Sequence, residues 1–362
     1  MFKKFLVLMI ILLMSRAEAA DWSPELKIGL LSGVEEVTLK VSAPCVMTEV
    51  TSGKILTKIP AEKKFVVHVE KIKADSVEIR PEEIPLKDLQ TQIEHKKYFG
   101  GVRLNKVEEK FTVINLVPLE EYLRGVLPGE MPPSYPLEAL KAQAVAARSF
   151  ALKNRGKHKL EGFDLCATTH CQVYTGVKEL ESTDRAVAET FGKILTYEDK
   201  LIDASFHADS GGMTEDVADV WGFPSPYLVA VEELFKTDEA WTIKISAKEI
   251  FDTLEIDKVK SVKLSKLKVG KEDSDRTSSG RVKTAHINGK KFTGVELRQK
   301  FSLPSTLFDM KLDEGEIIFT GYGSGHGVGM SQKGARAYAT DGWTYEEILS
   351  HYYKDTKLKE LY

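Results

Sequence analysis

From residue 25 to residue 116 the chain is patterned like strands. Leu26-Lys27-Ile28-Gly29-Leu30, Val37-Thr38-Leu39-Lys40-Val41, Phe65-Val66-Val67-His68-Val69 and Phe111-Thr112-Val113-Ile114 are short runs rich in Val, Ile, Thr and Phe. Thr51-Ser52-Gly53-Lys54 and Phe99-Gly100-Gly101 separate such runs as turns. After Pro118 the period changes. Leu119 to Leu127 reads as a short amphipathic helix, and Pro136 to Arg155 as a long one, with proline in its first turn and Gly156 just past its end. Leu137, Leu140, Ala144, Ala147 and Ala151 form one small-residue face of it, while Lys141, Val145, Arg148 and Leu152 share another. Further helices are expected at Ser182 to Phe191, Ala247 to Leu254, Ser331 to Thr340 and from Thr344 to Tyr353. Strands are expected at Lys193–Tyr197 and Leu201–His207, and a strand pair between Ser279 and Lys290. The fold class is α+β.

The first residues carry a different signal. Lys3 and Lys4 precede the apolar run Phe5 to Met14, and Ala17-Glu18-Ala19 offers a cleavage site, so residues 1–19 read as an export signal. Ten apolar residues fall short of the ~20 that span a bilayer, so no stable membrane anchor is expected. The mature protein is then placed in the periplasm, the cell wall or the medium. Loss of Lys3, Lys4, Arg16 and Glu18 moves the formal net charge from −3 to −5. A mildly acidic chain with 29% charged residues does not have the basic surface of a nucleic-acid binder. The three cysteines, Cys45, Cys166 and Cys171, are too few for a disulfide scaffold.

The chemistry-bearing residues cluster. Val117-Pro118-Leu119-Glu120-Glu121-Tyr122-Leu123 leads to Gly129-Glu130-Met131-Pro132 and then to Glu138-Ala139-Leu140-Lys141-Ala142-Gln143-Ala144-Val145-Ala146-Ala147-Arg148. Gly162-Phe163-Asp164-Leu165-Cys166, Thr169-His170-Cys171-Gln172-Val173-Tyr174, Ser210-Gly211-Gly212-Met213-Thr214-Glu215 and Gly325-His326-Gly327-Val328-Gly329-Met330-Ser331-Gln332 follow. In order and spacing, from about residue 28 to 358, these strings resemble the SpoIID/LytB family. Residues 20–105 read from their alternation as a β-rich N-terminal region, and the resemblance implies a catalytic domain with a glycan-binding groove over residues 106–362. It implies a lytic transglycosylase that cuts peptidoglycan glycan strands and leaves 1,6-anhydro-muramic acid ends. Glu130 matches the family's essential acid. One carboxyl suffices for that reaction, because it protonates the glycosidic oxygen and then takes the proton of the attacking C6 hydroxyl; a hydrolase usually needs a second carboxylate. Partial burial near Leu127, Met131, Pro132 and Pro133 would suit that role. Lys141, Arg148, Gln172, Tyr174, His326, Ser331 and Gln332 are the candidate substrate contacts, with Arg148 and Lys141 alternatively orienting Glu130 and Tyr174 alternatively packing in the core.

His158, Cys166, His170 and Cys171 lie within fourteen residues and could hold one structural zinc in a closed tetrahedral site, as the resemblance suggests for some relatives. A Cys166–Cys171 disulfide and free thiols are the alternatives. The Gly-rich run Gly321 to Gly329 lacks the Lys-Ser/Thr of a phosphate loop, so its glycines are expected to admit a glycan chain closely. Two other readings stand beside the enzyme. One is a non-catalytic wall-binding enhancer of an amidase; the other is a zinc-dependent wall hydrolase.

Overall fold

The computed structural model describes residues 23–235 and 239–362, so the expected export signal at residues 1–19 lies outside the described residues. Ten strands come first: β1 (Glu25–Val34), β2 (Glu36–Val41), β3 (Cys45–Glu49), β4 (Ile55–Ile59), β5 (Lys64–His68), β6 (Ser76–Pro81), β7 (Gln90–Ile93), β8 (Lys96–Phe99), β9 (Gly101–Val107) and β10 (Lys110–Pro118). Helices α1 (Leu119–Glu130) and α2 (Leu137–Lys153), the short strand β11 (Leu165–Cys166) and helix α3 (Glu181–Glu189) follow. The strands make a seven-stranded sheet in the order β11-β1-β10-β9-β6-β3-β4 and a four-stranded sheet in the order β5-β2-β7-β8. Their inward positions are the apolar ones of the alternating pattern: Leu26, Ile28, Val37, Leu39, Val77, Ile79, Leu104 and Val113 are all at most 1% exposed. Each contributes about 1.5–3 kcal/mol by leaving water.

The protein is α+β and divides into two compact units. The first runs through Leu195 and takes in Leu201–Asp203 and Leu358–Tyr362. The second comprises Thr196–Lys200 and Ala204–Lys357. The division expected at residues 105/106 falls inside β9, which is paired with β6 on one side and β10 on the other, so hydrogen bonding carries the first unit across that point.

Strand β10 passes at Pro118 straight into α1. The helix continues past Leu127 through Pro128 to Glu130. Proline has no N–H to give the Arg124 carbonyl, yet the helix runs on through it, and the Met131 N–H closes onto the Leu127 carbonyl at 3.0 Å. Helix α2 starts one residue after Pro136 and is buried around most of its circumference, as its alanines permit. It packs on α1 and α3, and Arg124 of α1 forks onto Asp184 of α3 with two 3.0 Å bonds.

In the second unit the strand Glu316–Gly321 pairs antiparallel with Trp241–Ile245 and Phe308–Asp313, over a core that includes Phe308, Phe319, Ile317 and Leu297. A strand pair forms as Thr284–Ile287 and Lys290–Thr293, a few residues later than the expected Ser279–Lys290, because its turn is Asn288-Gly289, whose φ values of 51° and 79° are those of a tight hairpin turn. Phe206–His207 pairs in parallel with Met330–Ser331, just after the Gly-rich run.

Candidate active site and metal centre

Glu130 is the last residue of α1 and is partly exposed. Its Oε1 accepts the Val173 N–H at 2.6 Å. That contact depends on two glycines one turn apart. A Cβ on Gly125 would strike the Tyr174 ring at 2.4 Å, and one on Gly129 would meet the Val173 carbonyl oxygen at 2.6 Å. With both absent, residues 173–175 lie directly against the helix, and the Thr175 N–H and hydroxyl both donate to the Gly125 carbonyl at 2.9 Å. The residues on either side of Val173 anchor it from within. Gln172 is fully buried; its Oε1 accepts from the Tyr122 hydroxyl at 3.1 Å and its amide donates to the Ala147 carbonyl at 3.3 Å. Tyr174 is 3% exposed and donates its hydroxyl to Asn115 at 2.9 Å, with its ring centroid 4.9 Å from that of Tyr122. Burial pushes the Tyr122 hydroxyl well above its ordinary range, with Tyr174, Cys171 and Glu130 adding to the effect.

The two cations of α2 differ in placement. The Lys141 ammonium is 2.8 Å from both Glu138 and Glu189. Arg148 is fully buried; its Nε and Nη2 fork onto the Glu120 carboxylate at 2.8 and 2.7 Å, and its Nη1 donates to the Lys193 carbonyl at 3.0 Å. In this structure, therefore, Arg148, Gln172 and Tyr174 offer little or no surface to a sugar. They support the frame around Glu130 instead. His326, Ser331 and Gln332 belong to the second unit. Ser331 is fully buried and caps the helix Gln332–Thr340, accepting from the Gly334 N–H at 3.1 Å, and Gln332 is nearly buried. His326 is half-buried, its Nδ1 accepting the Val328 N–H at 3.0 Å.

His158, Cys166, His170 and Cys171 converge, with all donor atoms within 4.8 Å of one another. Strand β11 brings Cys166 beside Gly29 of β1, where the missing Cβ makes room for the Phe163 ring, and His158 stacks on that ring at 4.8 Å. His158 Nε2 lies 3.3 Å from His170 Nδ1 and 3.5 Å from Cys171 Sγ, and His170 Nδ1 lies 3.7 Å from each sulfur. A tetrahedral zinc with usual bond lengths would set about 3.3 Å between two nitrogens and about 3.6 Å between nitrogen and sulfur. The donor set therefore fits that ion. Outside the quartet, the Glu161 carboxylate lies 2.5 Å from His158 Nδ1, the arrangement that orients a metal-binding imidazole, and the Thr168 hydroxyl is 3.2 Å from Cys166. Both thiols are free, with no disulfide between them. Burial pushes the Cys166 thiol up, but contacts with Thr168 and His170 outweigh it and bring the thiol down to about 6; burial holds Cys171 up at about 11.

Cys171 stands two residues before Val173, so the quartet and the residue that holds the acid share one segment of chain. Sequence reasoning did not single out Val173, Glu120, Tyr122 or Glu161. Gly125 and Gly129, four apart on one helix face, were the readable sign of a close approach, and His158-x-x-Glu161 that of a supported imidazole.

A family profile described as stage II sporulation protein matches residues 107–197, which include Glu130 and the whole His/Cys quartet. Stage II sporulation protein D of Bacillus amyloliquefaciens is 37% identical over 260 residues, 67% of this chain and 75% of that protein. The protein of the same name from Bacillus subtilis (strain 168) is 37% identical over 261 residues, with the same coverage. The amidase enhancer of Bacillus subtilis (strain 168) is 33% identical over 288 residues, 65% of this chain but 40% of that longer protein.

Proposed function

We propose that this chain, which belongs to the stage II sporulation protein D family, is an exported lytic transglycosylase of peptidoglycan with Glu130 as its one acid–base group. The observation that carries the reading is the placement of Glu130: a carboxyl at a helix end, open to solvent on one side and fixed by the Val173 N–H on the other. In the first step the protonated Glu130 gives its proton to the glycosidic oxygen, and the bond from that oxygen to C1 of the muramic acid breaks. The muramic acid C6 hydroxyl then attacks C1, its proton passes to the Glu130 carboxylate, and a 1,6-anhydro ring closes without water. A carboxylate that must work in both directions gains from being held in one orientation, and the Val173 N–H supplies that hold. Lys141 and His326 are the expected positions with side-chain surface for a glycan. Arg148, Gln172 and Tyr174 serve by positioning in the first unit; Ser331 caps a helix of the second.

The quartet His158, Cys166, His170 and Cys171 would hold one structural zinc. When bound, the ion supplies cross-linking of the segment that ends at Val173. Four protein donors complete a tetrahedron, so the site has no position for a catalytic water, which disfavours a zinc-dependent hydrolase.

Mass spectrometry of products from purified murein tests the reading. The protein should release anhydro-ended fragments, and Glu130→Gln should release them at least about 100-fold more slowly, the typical contribution of general acid–base catalysis. Reducing ends would mean hydrolysis instead. Similarity to a protein named amidase enhancer supports a second reading, in which the chain binds wall glycan and assists an amidase. Absence of any new ends, together with stimulation of an amidase by both the parent protein and Glu130→Gln, would establish it.

A further inference from the structure

The acidic balance of the whole chain conceals a local excess of the opposite sign. Residues 258–271 of the second unit contain six lysines and no acidic residue. Val259 is buried and Val262, Leu264 and Leu267 are half-buried, while the six lysines between and around them are exposed. Folding adds basic residues from farther along the chain. The strand Val262–Lys263 pairs with Thr284–Ile287, which pairs in turn with Lys290–Thr293. The registers set Lys263 opposite His286, and His286 opposite Lys291. Opposite residues of antiparallel strands share a face, so these three side chains form one row across the sheet. The two lysines at its ends are about 9–10 Å apart, two strand spacings. The next pair on that face, Thr284 and Thr293, is neutral. Asn288 gathers two more lysines at the hairpin turn. Its Oδ1 accepts the Lys260 and Ser261 N–H groups at 2.7 and 3.1 Å, and its Nδ2 donates to the Lys258 carbonyl at 2.7 Å. The backbone of Lys258 and Lys260 is thereby fixed beside the Asn288-Gly289 turn that Lys290 and Lys291 follow.

Lys258, Lys260, Lys263 and Lys291 have no carboxylate partner among the described residues. Lysines elsewhere do: Lys58, Lys106, Lys193 and Lys244 each have one at 2.7–3.2 Å. Like charges gathered within about a Debye length repel one another and subtract stability. A surface that keeps such a group together without acids fits an anion supplied from outside. The residue types narrow the choice of anion. The exposed cations are all lysines, whereas Arg276 and Arg281 of the same stretch are 1% and 2% exposed. An ammonium meets phosphate as a point charge from any direction, while planar carboxylates favour the arginine fork. The apolar side chains of the three strands, Val262, Ile287 and Phe292, pack into the core. The row therefore offers nothing apolar to enter a bilayer. A flexible chain of phosphodiesters, with one charge per repeat, matches both facts.

We propose that the lysines around the Asn288-Gly289 turn form a docking surface for a polyol-phosphate polymer of the cell wall. The proposal goes beyond cleavage. It shares with the proposed function only the expected export, and stands for an enzyme or an enhancer alike. Full-length protein is titrated with poly(glycerol phosphate) at low and at physiological salt, and affinity is read by calorimetry. Saturable binding that weakens as salt rises is the expected result. Combining Lys258→Gln, Lys260→Gln, Lys263→Gln and Lys291→Gln should weaken binding by about tenfold or more at low salt. Circular dichroism should be unchanged and the melting temperature no lower, since the substitutions relieve repulsion. A control variant with Lys54, Lys63, Lys71 and Lys73 changed to Gln loses the same charge from exposed positions of the first unit and should keep its affinity within about twofold. Unchanged affinity in the first variant, or an equal loss in both, overturns the docking surface. Two further probes test the anion. Poly-L-glutamate that binds as tightly as the polymer overturns the preference for phosphate. Phosphatidylglycerol vesicles that bind where the polymer does not make the partner a lipid surface and overturn the wall polymer. The outcomes separate from those of the catalytic reading: polymer binding with no anhydro ends from murein keeps the surface and removes the transglycosylase, and the converse removes the surface alone.

Discussion

Arg148 has no exposed surface, and its guanidinium fork rests on Glu120, whose Oε1 also accepts the Tyr362 hydroxyl at 2.5 Å. Removing one partner of such a buried pair strands the other charge. Arg148→Met should cost about 3–5 kcal/mol of stability, read from urea unfolding. Glu121, the next residue on α1, behaves differently. Burial, with a smaller push from Glu120, raises its carboxyl from 4.5 to about 7. The folded protein then binds this proton more tightly than the unfolded chain, so the residue subtracts stability as pH rises from 4.5 through 7. Glu121→Gln should be nearly neutral at pH 4 and stabilising at pH 8, on the order of 2 kcal/mol, in melts taken across that range. Neither feature could be read from neighbouring residues, since Glu120 lies 28 positions from Arg148 and Glu121 is dried by tertiary packing.

Among the elements, the pairing of α1 with residues 173–175 matters most. Gly129→Ala places a methyl 2.6 Å from the Val173 carbonyl oxygen, so the strip must shift and loosen its hold on Glu130. The release of anhydro ends should fall about tenfold or more, since small displacements of a positioned group are costly in rate, while circular dichroism still shows the folded protein. Cys171→Ser or strong chelation acts on the same strip from its other end. Zinc content measured by elemental analysis, the melting temperature and cutting should fall together, and Glu130→Gln should leave the first two intact. The sequence revealed these elements unevenly. The helix Ala247–Leu254 was legible to the residue because Ser246 and Glu249 form a capping box. The end of α1 was not, because Pro128 reads as a stop while only the last turn remained to be closed. The quartet was legible as four ligand types within fourteen residues; what the sequence did not give is how β1 places Cys166 and how the Phe163 ring places His158.

On the scale of the whole molecule, each unit has its own core, and the sequence pattern marked no border near Leu195 because strand and helix textures are mixed on both sides of it. The first unit includes Leu358–Tyr362, far along the chain from the rest of it. Tyr362→Phe removes a hydrogen bond to a buried carboxylate, worth about 1.5–3 kcal/mol. Hydrogen exchange should speed up around Glu120 and Arg148 and stay unchanged in the Phe308–Phe319 core. The bond between Tyr362 and Glu120 joins positions 242 residues apart. Closing so long a loop is entropically costly and slow, so it belongs late in folding. Until Tyr362 arrives, the Glu120–Arg148 pair lacks this hydroxyl, and the first unit is held together without its last tie.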